Sequence, residues 1–176
     1  GADDRFAMPM AVTLYSALAN MENSRSVSLY IVDGGISIGN CHKLEEVLAV
    51  DHVDVHLEWV VPDLLHLTGM KTTESFSQAA YLRLLIPELL PDVDRAIYLD
   101  SDLVVERDLG ELSEIEMGNL PALAVRDYMY PNVSCLNWVG DTYQSRGLSP
   151  NTPYLNSGVL VMNLQRWRAD GIARDA

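Results

Sequence analysis

Apolar residues along the chain follow two spacings, one typical of helices and one typical of short strands, and segments of the two kinds alternate. Helical spacing predicts helices over 8–21, 40–50, 76–90 and 164–174. Short apolar runs predict strands over 27–32, 53–60, 95–99, 122–125 and 158–162, with further extended chain at 103–105. This alternation indicates an α/β fold with a mainly parallel sheet covered by helices on both faces. A long loop over 127–153 interrupts the pattern, and loops of this length are often functional.

The chain has 176 residues, of which 48% are hydrophobic, and this fits one domain with a substantial core. Its 12 basic and 25 acidic side chains give a formal net charge of −13, which argues against binding to nucleic acid or to an anionic membrane surface. No apolar run approaches the ~18 residues of a membrane span, and Cys41 and Cys135 are too few for a disulfide framework. We therefore expect a soluble, cytoplasmic protein. Attachment to a membrane through a segment outside this chain stays open, as does the oligomeric state.

Two carboxylates separated by one residue, Asp100 and Asp102, follow the strand predicted over 95–99. In extended chain, residues i and i+2 point to the same side, and neighbouring carboxylates raise each other's pKa unless a cation lies between them. Mg²⁺ or Mn²⁺, which prefer oxygen ligands, would remove this conflict and keep open positions for phosphate oxygens. A solvated turn between two short strands is the alternative, because an Asp-x-Asp pair by itself is common.

Other polar residues are predicted near the ends of strands, where ligands bind in open α/β sheets. Asp3 and Asp4 resemble the end of a first strand, and Arg83, on a mostly apolar predicted helix, is a candidate cation for an anionic ligand. Asn156 and Ser157 stand at the mouth of the last apolar strand. The alternatives are a turn residue for Asn156 and a surface or salt-bridged residue for Arg83. Both ends of the sequence look abrupt, so we expect a partial chain, truncated at both ends.

Four motifs, taken in order, resemble glycosyltransferase family 8, which includes bacterial lipopolysaccharide galactosyl- and glucosyltransferases and glycogenin. The motifs are Ala2-Asp3-Asp4, Tyr81-Leu82-Arg83, YLDSDLVV at 98–105 followed by Asp108, Leu109 and Leu112, and YLNSGVLVMNLQRWR at 154–168. The resemblance covers nearly the whole chain, and the order and spacing of the four motifs make it specific. It implies a single GT-A domain over 1–176. A Rossmann-like nucleotide-binding half would occupy 1–105, and an acceptor-binding half would start within 106–176.

The resemblance also implies roles for individual residues. Asp100 and Asp102 would hold Mn²⁺ or Mg²⁺, and Asp127 and Asn156 would be catalytic residues near the hydroxyls of donor or acceptor. Contacts to the donor would fall on a further set: Asp3 to the uracil, Ala2 and Arg5 near the base and ribose, Phe76 against the uridine, Ser101 near the ribose through its backbone, Arg83 at the sugar or diphosphate, and Asn156 and Ser157 at the transferred sugar.

The activity implied is metal-dependent transfer of a hexose, glucose or galactose, from a UDP-sugar to a hydroxyl of a glycan or lipid-linked saccharide, with retention at the anomeric carbon. Lipopolysaccharide or other glycan synthesis would be its setting. In the family a histidine near the C-terminus is a third metal ligand and a second acidic patch follows the last helix; both would lie beyond Ala176. Arg5 stands where the family more often has a small polar residue. We therefore expect these 176 residues alone to bind donor weakly and to turn over slowly or not at all.

Two other functions stay open at this point. A non-catalytic module that binds a sugar nucleotide or a glycan would keep the same motifs without turnover. A phosphatase or phosphotransferase would use an Asp-x-Asp pair as its nucleophile pair, although such enzymes place the pair after the first strand. In this chain the pair follows several predicted strands and helices.

Overall fold

The computed structural model describes residues 1–22, 25–63, 78–136 and 142–175, and for residues 78, 79, 142, 174 and 175 it describes the backbone only. The helices are α1 (Ala7–Ala19), α2 (Ile38–Leu48), α3 (Leu82–Leu89), α4 (Gly110–Ser113), α5 (Thr142–Ser145), α6 (Leu164–Asp170) and α7 (Ile172–Asp175). The strands are β1 (Ser26–Val32), β2 (Asp54–Val60), β3 (Arg95–Leu99), β4 (Ala122–Arg126) and β5 (Leu155–Asn163). Short 3₁₀ turns lie at Asp4–Phe6, Gln78–Tyr81 and Val133–Cys135.

The first half of the chain forms a parallel strand pair covered by helices. β1 and β2 run in register from Ser26 beside Asp54 to Val32 beside Val60. Helices α1 and α2 pack on each other and on this pair. They share a buried apolar cluster that includes Met10, Leu18, Ile31, Leu44 and Leu48. The predicted parallel sheet with flanking helices is confirmed here.

In the second half the strands pair in the opposite sense. β5 lies between β3 and β4 and runs antiparallel to both. Helices α3 and α6 pack together against this sheet, and Met162 of β5 is fully buried. The prediction of a mainly parallel sheet is therefore wrong for these strands. Because β5 lies between β3 and β4 and runs antiparallel to both, its amino end lies beside their carboxyl ends, at one end of the sheet.

A cavity of about 540 Å³ separates the two sheets. All residues of β1 and β3 line it, and residues of α1, Ile86 of α3 and residues of neighbouring segments such as Leu109 and Ser113 contribute to the walls. Within the described part of the chain, β1 and β3 are each hydrogen-bonded to a strand on one side only. The two sheets are nevertheless tied together at one end of the cavity, where Val32 of β1 and Leu82 and Leu85 of α3 form one buried cluster.

The predicted elements agree with the structure except at their ends. The strand over 95–99 is observed with the same bounds, whereas the last predicted strand is longer and runs from Leu155 to Asn163. The last predicted helix is split at Gly171, whose φ of 65° ends α6. Of the helix predicted over 76–90, the first two residues lie outside the described part, and α3 begins after a 3₁₀ turn. None of the described helices has the length and apolar character needed to cross a membrane.

Candidate functional site

The predicted site residues meet where β3 ends and β5 begins. Leu99 pairs with Val159, and the backbone N–H of Asp100 donates to the carbonyl of Gly158 at 2.7 Å. This pairing brings the carboxylate of Asp100 beside Ser157. Residues that are more than fifty positions apart in sequence therefore form one contiguous polar surface.

Arg83 of α3 joins the two strands through its guanidinium. Its Nη2 donates to Asp100 Oδ1 at 2.9 Å, and its Nη1 donates to both the carbonyl oxygen and Oγ of Ser157 at 2.6 and 2.8 Å. Its Nε donates to the carbonyl of Ala80 at 2.8 Å. With the Arg83 side chain only 12% exposed, these charge-assisted bonds are shielded from water and fix the guanidinium in one place.

Tyr98 completes the surroundings of Asp100. Its hydroxyl donates to the same oxygen, Asp100 Oδ1, at 2.6 Å, and its ring lies under the Arg83 guanidinium at 4.8 Å. Burial raises the pKa of the Tyr98 phenol well above its usual range, so the phenol stays a donor at neutral pH. Two donors thus occupy Oδ1 and leave Oδ2 as the oxygen of Asp100 available to a ligand.

An irregularity in β5 lies beside this oxygen. Ala124 of β4 pairs with Leu160, but the next residue, Val125, pairs with Asn156, so residues 157–159 have no partner in β4. Gly158 lies within this bulge. A Cβ there would be 3.0 Å from Asp100 Oδ2, so the missing side chain is what lets the carboxylate lie against the strand.

Asn156 and Asp127 form the other side of the site. The Asn156 amide donates to Asp127 Oδ2 at 3.2 Å and its carbonyl oxygen accepts from the Gly158 N–H at 2.9 Å. Asp127 Oδ1 accepts from the N–H groups of Met129 and Tyr130 at 2.9 and 2.8 Å. The Tyr130 N–H, followed by the Asn156 amide, lowers the pKa of Asp127, so this carboxylate is ionised at neutral pH.

Asp102 and Ser101 form the turn that follows Asp100. The Asp102 carboxylate is exposed and makes no hydrogen bond or ion pair with another described residue. Asp100 Oδ2 and the two oxygens of the Asp102 carboxylate therefore make no hydrogen bond with another described residue, and a divalent cation that prefers oxygen ligands fits this donor set. No group of three acidic, histidine or cysteine side chains suited to a metal occurs in the described ranges. Within these ranges, acidic, histidine and cysteine side chains therefore supply at most two ligands to one cation.

The first motif lies at the carboxyl end of β1. Ala2 is buried and pairs with this strand, donating to the Val32 carbonyl at 3.2 Å and accepting from the Gly34 N–H at 2.9 Å. Asp3 caps the 3₁₀ turn that follows, and its carboxylate also pairs with the exposed Arg5 at 3.2 Å.

The neighbouring Asp4 holds the start of α2. Its carboxylate accepts from the Ser37 N–H at 2.7 Å and from the Asn40 amide at 2.9 Å. Asp3, by contrast, makes its hydrogen bonds and ion pair only with its neighbours Arg5 and Phe6 and holds no other element. Phe76 lies outside the described residues.

Two features of the site were not predicted from the sequence. Tyr98 reads as an apolar strand residue, and only its buried hydroxyl against Asp100 shows its polar role. The polar stripe of α1 and its C-cap, defined here as Thr13, Ser16 and Asn20, hydrogen-bonds the backbone of the segment 103–105. The spacing of its short polar side chains, i, i+3 and i+7, was the available signal, because it places them on one face of a helix.

Comparison with known proteins identifies this arrangement. The fold is that of GT-A glycosyltransferases: the galactosyltransferase LgtC, solved with donor and acceptor sugar analogues, superposes with a TM-score of 0.75 at 24% identity over 96% of this chain and 58% of its own. The apo structure of WbbM, a bifunctional glycosyltransferase, superposes with a TM-score of 0.79 at 21% identity over 98% of this chain and 32% of its own.

The family itself follows from sequence. The model of glycosyl transferase family 8 matches residues 1–176, and the chain belongs to this family. General stress protein A of Bacillus subtilis is 30% identical over 174 residues, which are 97% of this chain and 57% of that protein. The chain thus spans little more than half the length of this relative.

Proposed function

We propose that the complete protein is a retaining glycosyltransferase that transfers a hexose from a UDP-sugar to a hydroxyl of a glycan or lipid-linked saccharide. The observation that carries this proposal is the fixed carboxylate of Asp100, held at Oδ1 by Arg83 and Tyr98 and open at Oδ2. Family membership supports sugar transfer over the phosphatase alternative. LgtC was solved with analogues of a donor and an acceptor sugar, and this supports a site that binds both a donor and an acceptor in the present protein.

Asp100 and Asp102 would hold Mn²⁺ or Mg²⁺ together with ligands from outside the described residues. Such a cation supplies Lewis-acid stabilisation of the charge that develops on a leaving diphosphate. Arg83 holds Asp100 in place and adds positive charge at the same edge, in a protein whose net charge of −13 would otherwise repel a nucleotide diphosphate.

Asp127 would act on the sugar by charge rather than by covalent attack. Its oxygens already accept two backbone N–H groups and the Asn156 amide, and its pKa is lowered. A carboxylate stabilised in this way is a weak base and a weak nucleophile. It suits the orientation of a hydroxyl and the stabilisation of positive charge at the anomeric carbon, while Asn156 holds its position. Retention would then come from attack on the same face as the leaving group, without a glycosyl-enzyme bond.

The remaining contacts with the sugar-nucleotide donor would be made by residues at the ends of strands. Asp3, with the exposed Arg5 beside it, would receive the base, since it lies at the carboxyl end of β1. The backbone at Ser101 would lie near the ribose, and Ser157, whose hydroxyl is held by Arg83, would lie near the transferred sugar.

Calorimetric titration of UDP tests this proposal most directly. The complete protein should bind UDP in the presence of Mn²⁺ and lose most of that affinity in EDTA. Asp102→Ala should abolish the metal-dependent part of the affinity, because it removes one of two carboxylate ligands. Incubation with UDP-glucose and UDP-galactose should then release UDP and label an acceptor. Metal-dependent binding without any transfer would favour the non-catalytic module, and unchanged Mn²⁺-dependent affinity of Asp102→Ala would remove Asp102 from the metal site.

A further inference from the structure

The segment that follows Asp102 is held by a helix instead of a strand. Thr13 of α1, 1% exposed, donates from Oγ1 to the carbonyl of Leu103 and accepts from the N–H of the same residue, both at 2.9 Å. One hydroxyl therefore satisfies both backbone groups of Leu103, as a neighbouring strand would. The polar stripe continues this pattern at Val105, whose N–H donates to Ser16 Oγ at 3.0 Å.

These bonds fix the turn at Asp102 from both sides. Before the turn, the Asp100 N–H is bonded to the Gly158 carbonyl at 2.7 Å. After it, Leu103 is bonded twice to Thr13. Only residues 101 and 102 lie between the two anchors, so the Asp102 side chain starts from a defined backbone position although it makes no hydrogen bond or ion pair with another described residue.

Burying a hydroxyl costs free energy, and packing alone would not require a hydroxyl at position 13. Valine would fill the same volume at position 13 without a polar group, and would leave both Leu103 backbone groups unpaired. The Thr13 hydroxyl therefore serves to hold the backbone of one residue, Leu103, which directly follows Asp102.

We propose that Thr13 is a positioning residue for the cation site: by holding Leu103 at both backbone groups, it sets the distance between the carboxylates of Asp102 and Asp100. This inference rests on the proposed function, in which the two carboxylates bind a divalent cation. Ligands set at the wrong distance bind a cation less well, and changes behind the ligands typically lower metal affinity about 10- to 100-fold.

The test compares three variants of the complete protein. Thr13→Val removes the hydroxyl, Thr13→Ser keeps it, and Leu18→Ala weakens the packing of the same helix at a residue of the core cluster. Mn²⁺ binding is measured by electron paramagnetic resonance, UDP binding in saturating Mn²⁺ by calorimetry, and stability by urea unfolding. Exchange of the Leu103 amide hydrogen reports the bond to Thr13 directly.

Thr13→Val should weaken Mn²⁺ binding about tenfold and lose protection of the Leu103 amide, and Thr13→Ser should restore both. Leu18→Ala should lose stability with unchanged Mn²⁺ affinity. If Thr13→Val loses stability but binds Mn²⁺ like the wild type, Thr13 is a structural residue and the inference is overturned while the proposed function stands. If the wild type itself binds neither Mn²⁺ nor UDP, the proposed function fails, and the inference fails with it.

Discussion

Arg83 and Asp100 form a 2.9 Å ion pair in which the arginine is more deeply buried, with 12% of its side chain exposed against 31% for the aspartate. The guanidinium also bonds Ser157 and Ala80, so the pair is part of a fixed framework rather than a mobile surface contact. One carboxylate of the Asp-x-Asp motif is therefore already matched by a cation of the protein.

Replacing this arginine by lysine tests the framework. Arg83→Lys keeps the charge, but one ammonium cannot reach Asp100, Ser157 and Ala80 from their present directions. We expect a loss of about 1–3 kcal/mol in the free energy of unfolding, measured with urea, and at least a tenfold loss of Mn²⁺-dependent UDP affinity. Wild-type affinity in this variant would show that charge alone is needed at this position.

Gly158 should tolerate no side chain. In Gly158→Ala the new Cβ would lie 3.0 Å from Asp100 Oδ2 and 3.1 Å from Asn156 Oδ1, so both side chains must move. We expect UDP affinity to fall about tenfold or more, with stability lowered by only about 1–2 kcal/mol because the atoms nearest the new Cβ belong to side chains that can shift. Calorimetry and urea unfolding measure the two effects.

Gly39→Ala is the matched control for this change. Gly39 lies in α2, and an added Cβ meets no atom within 4 Å. Alanine there should stabilise the protein by about 0.5–1 kcal/mol and leave UDP affinity unchanged. Equal losses of affinity in both variants would contradict the role assigned to Gly158.

The contacts of an added Cβ predict a structural role for Gly110 as well. The Arg25 guanidinium lies across it, and an added Cβ would be only 2.6 and 2.7 Å from the two terminal nitrogens. Gly110→Ala should displace Arg25 from Asp108, its 2.9 Å partner, and lower the free energy of unfolding by about 1–3 kcal/mol. Retained stability, with Gly39→Ala again as reference, would mean that Arg25 finds an equivalent position.

Acidification should weaken the contact between Asp4 and α2. The Ser37 N–H, followed by the Asn40 amide, lowers the pKa of Asp4 below its usual value of about 3.9. A lowered native pKa contributes stability above the unfolded pKa, and this contribution is lost as the pH falls through the native pKa. Asp4→Asn should therefore unfold at lower urea than the wild type at pH 7, and the difference should shrink at pH 3. A difference independent of pH would exclude the charge as its cause.

The sequence predicted the fold class well because apolar spacing is a local property. The longer strands and helices are visible in their own residues, whereas the four-residue helices α4 and α5 were not predicted. The GT-A resemblance is confirmed by comparison with solved structures. The antiparallel placement of β5 could not be predicted in this way, since the direction of a strand depends on partners such as Leu99 and Val159, sixty residues apart.

The candidate site was predictable in part for the same reason. Asp100, Arg83 and Ser157 each stood out as polar groups beside apolar segments, and the structure brings them together. Tyr98 and Thr13 did not, because their hydroxyls act inside the protein and residues of their kind are common in apolar faces. Their roles depend on which oxygen or backbone group lies opposite, and this is set by tertiary packing.

The bulge in β5 divides that strand into two parts with different tolerance to change. From Leu160 to Met162 its side chains are buried in the core, whereas from Leu155 to Ser157 they are exposed at the site. Amino-acid replacements in the outer part can alter what the site recognises with little effect on folding, because the break in pairing at Ala124 separates them from the inner part. One strand thus combines an inner part that supports the core with an outer part whose side chains are free to change at the site.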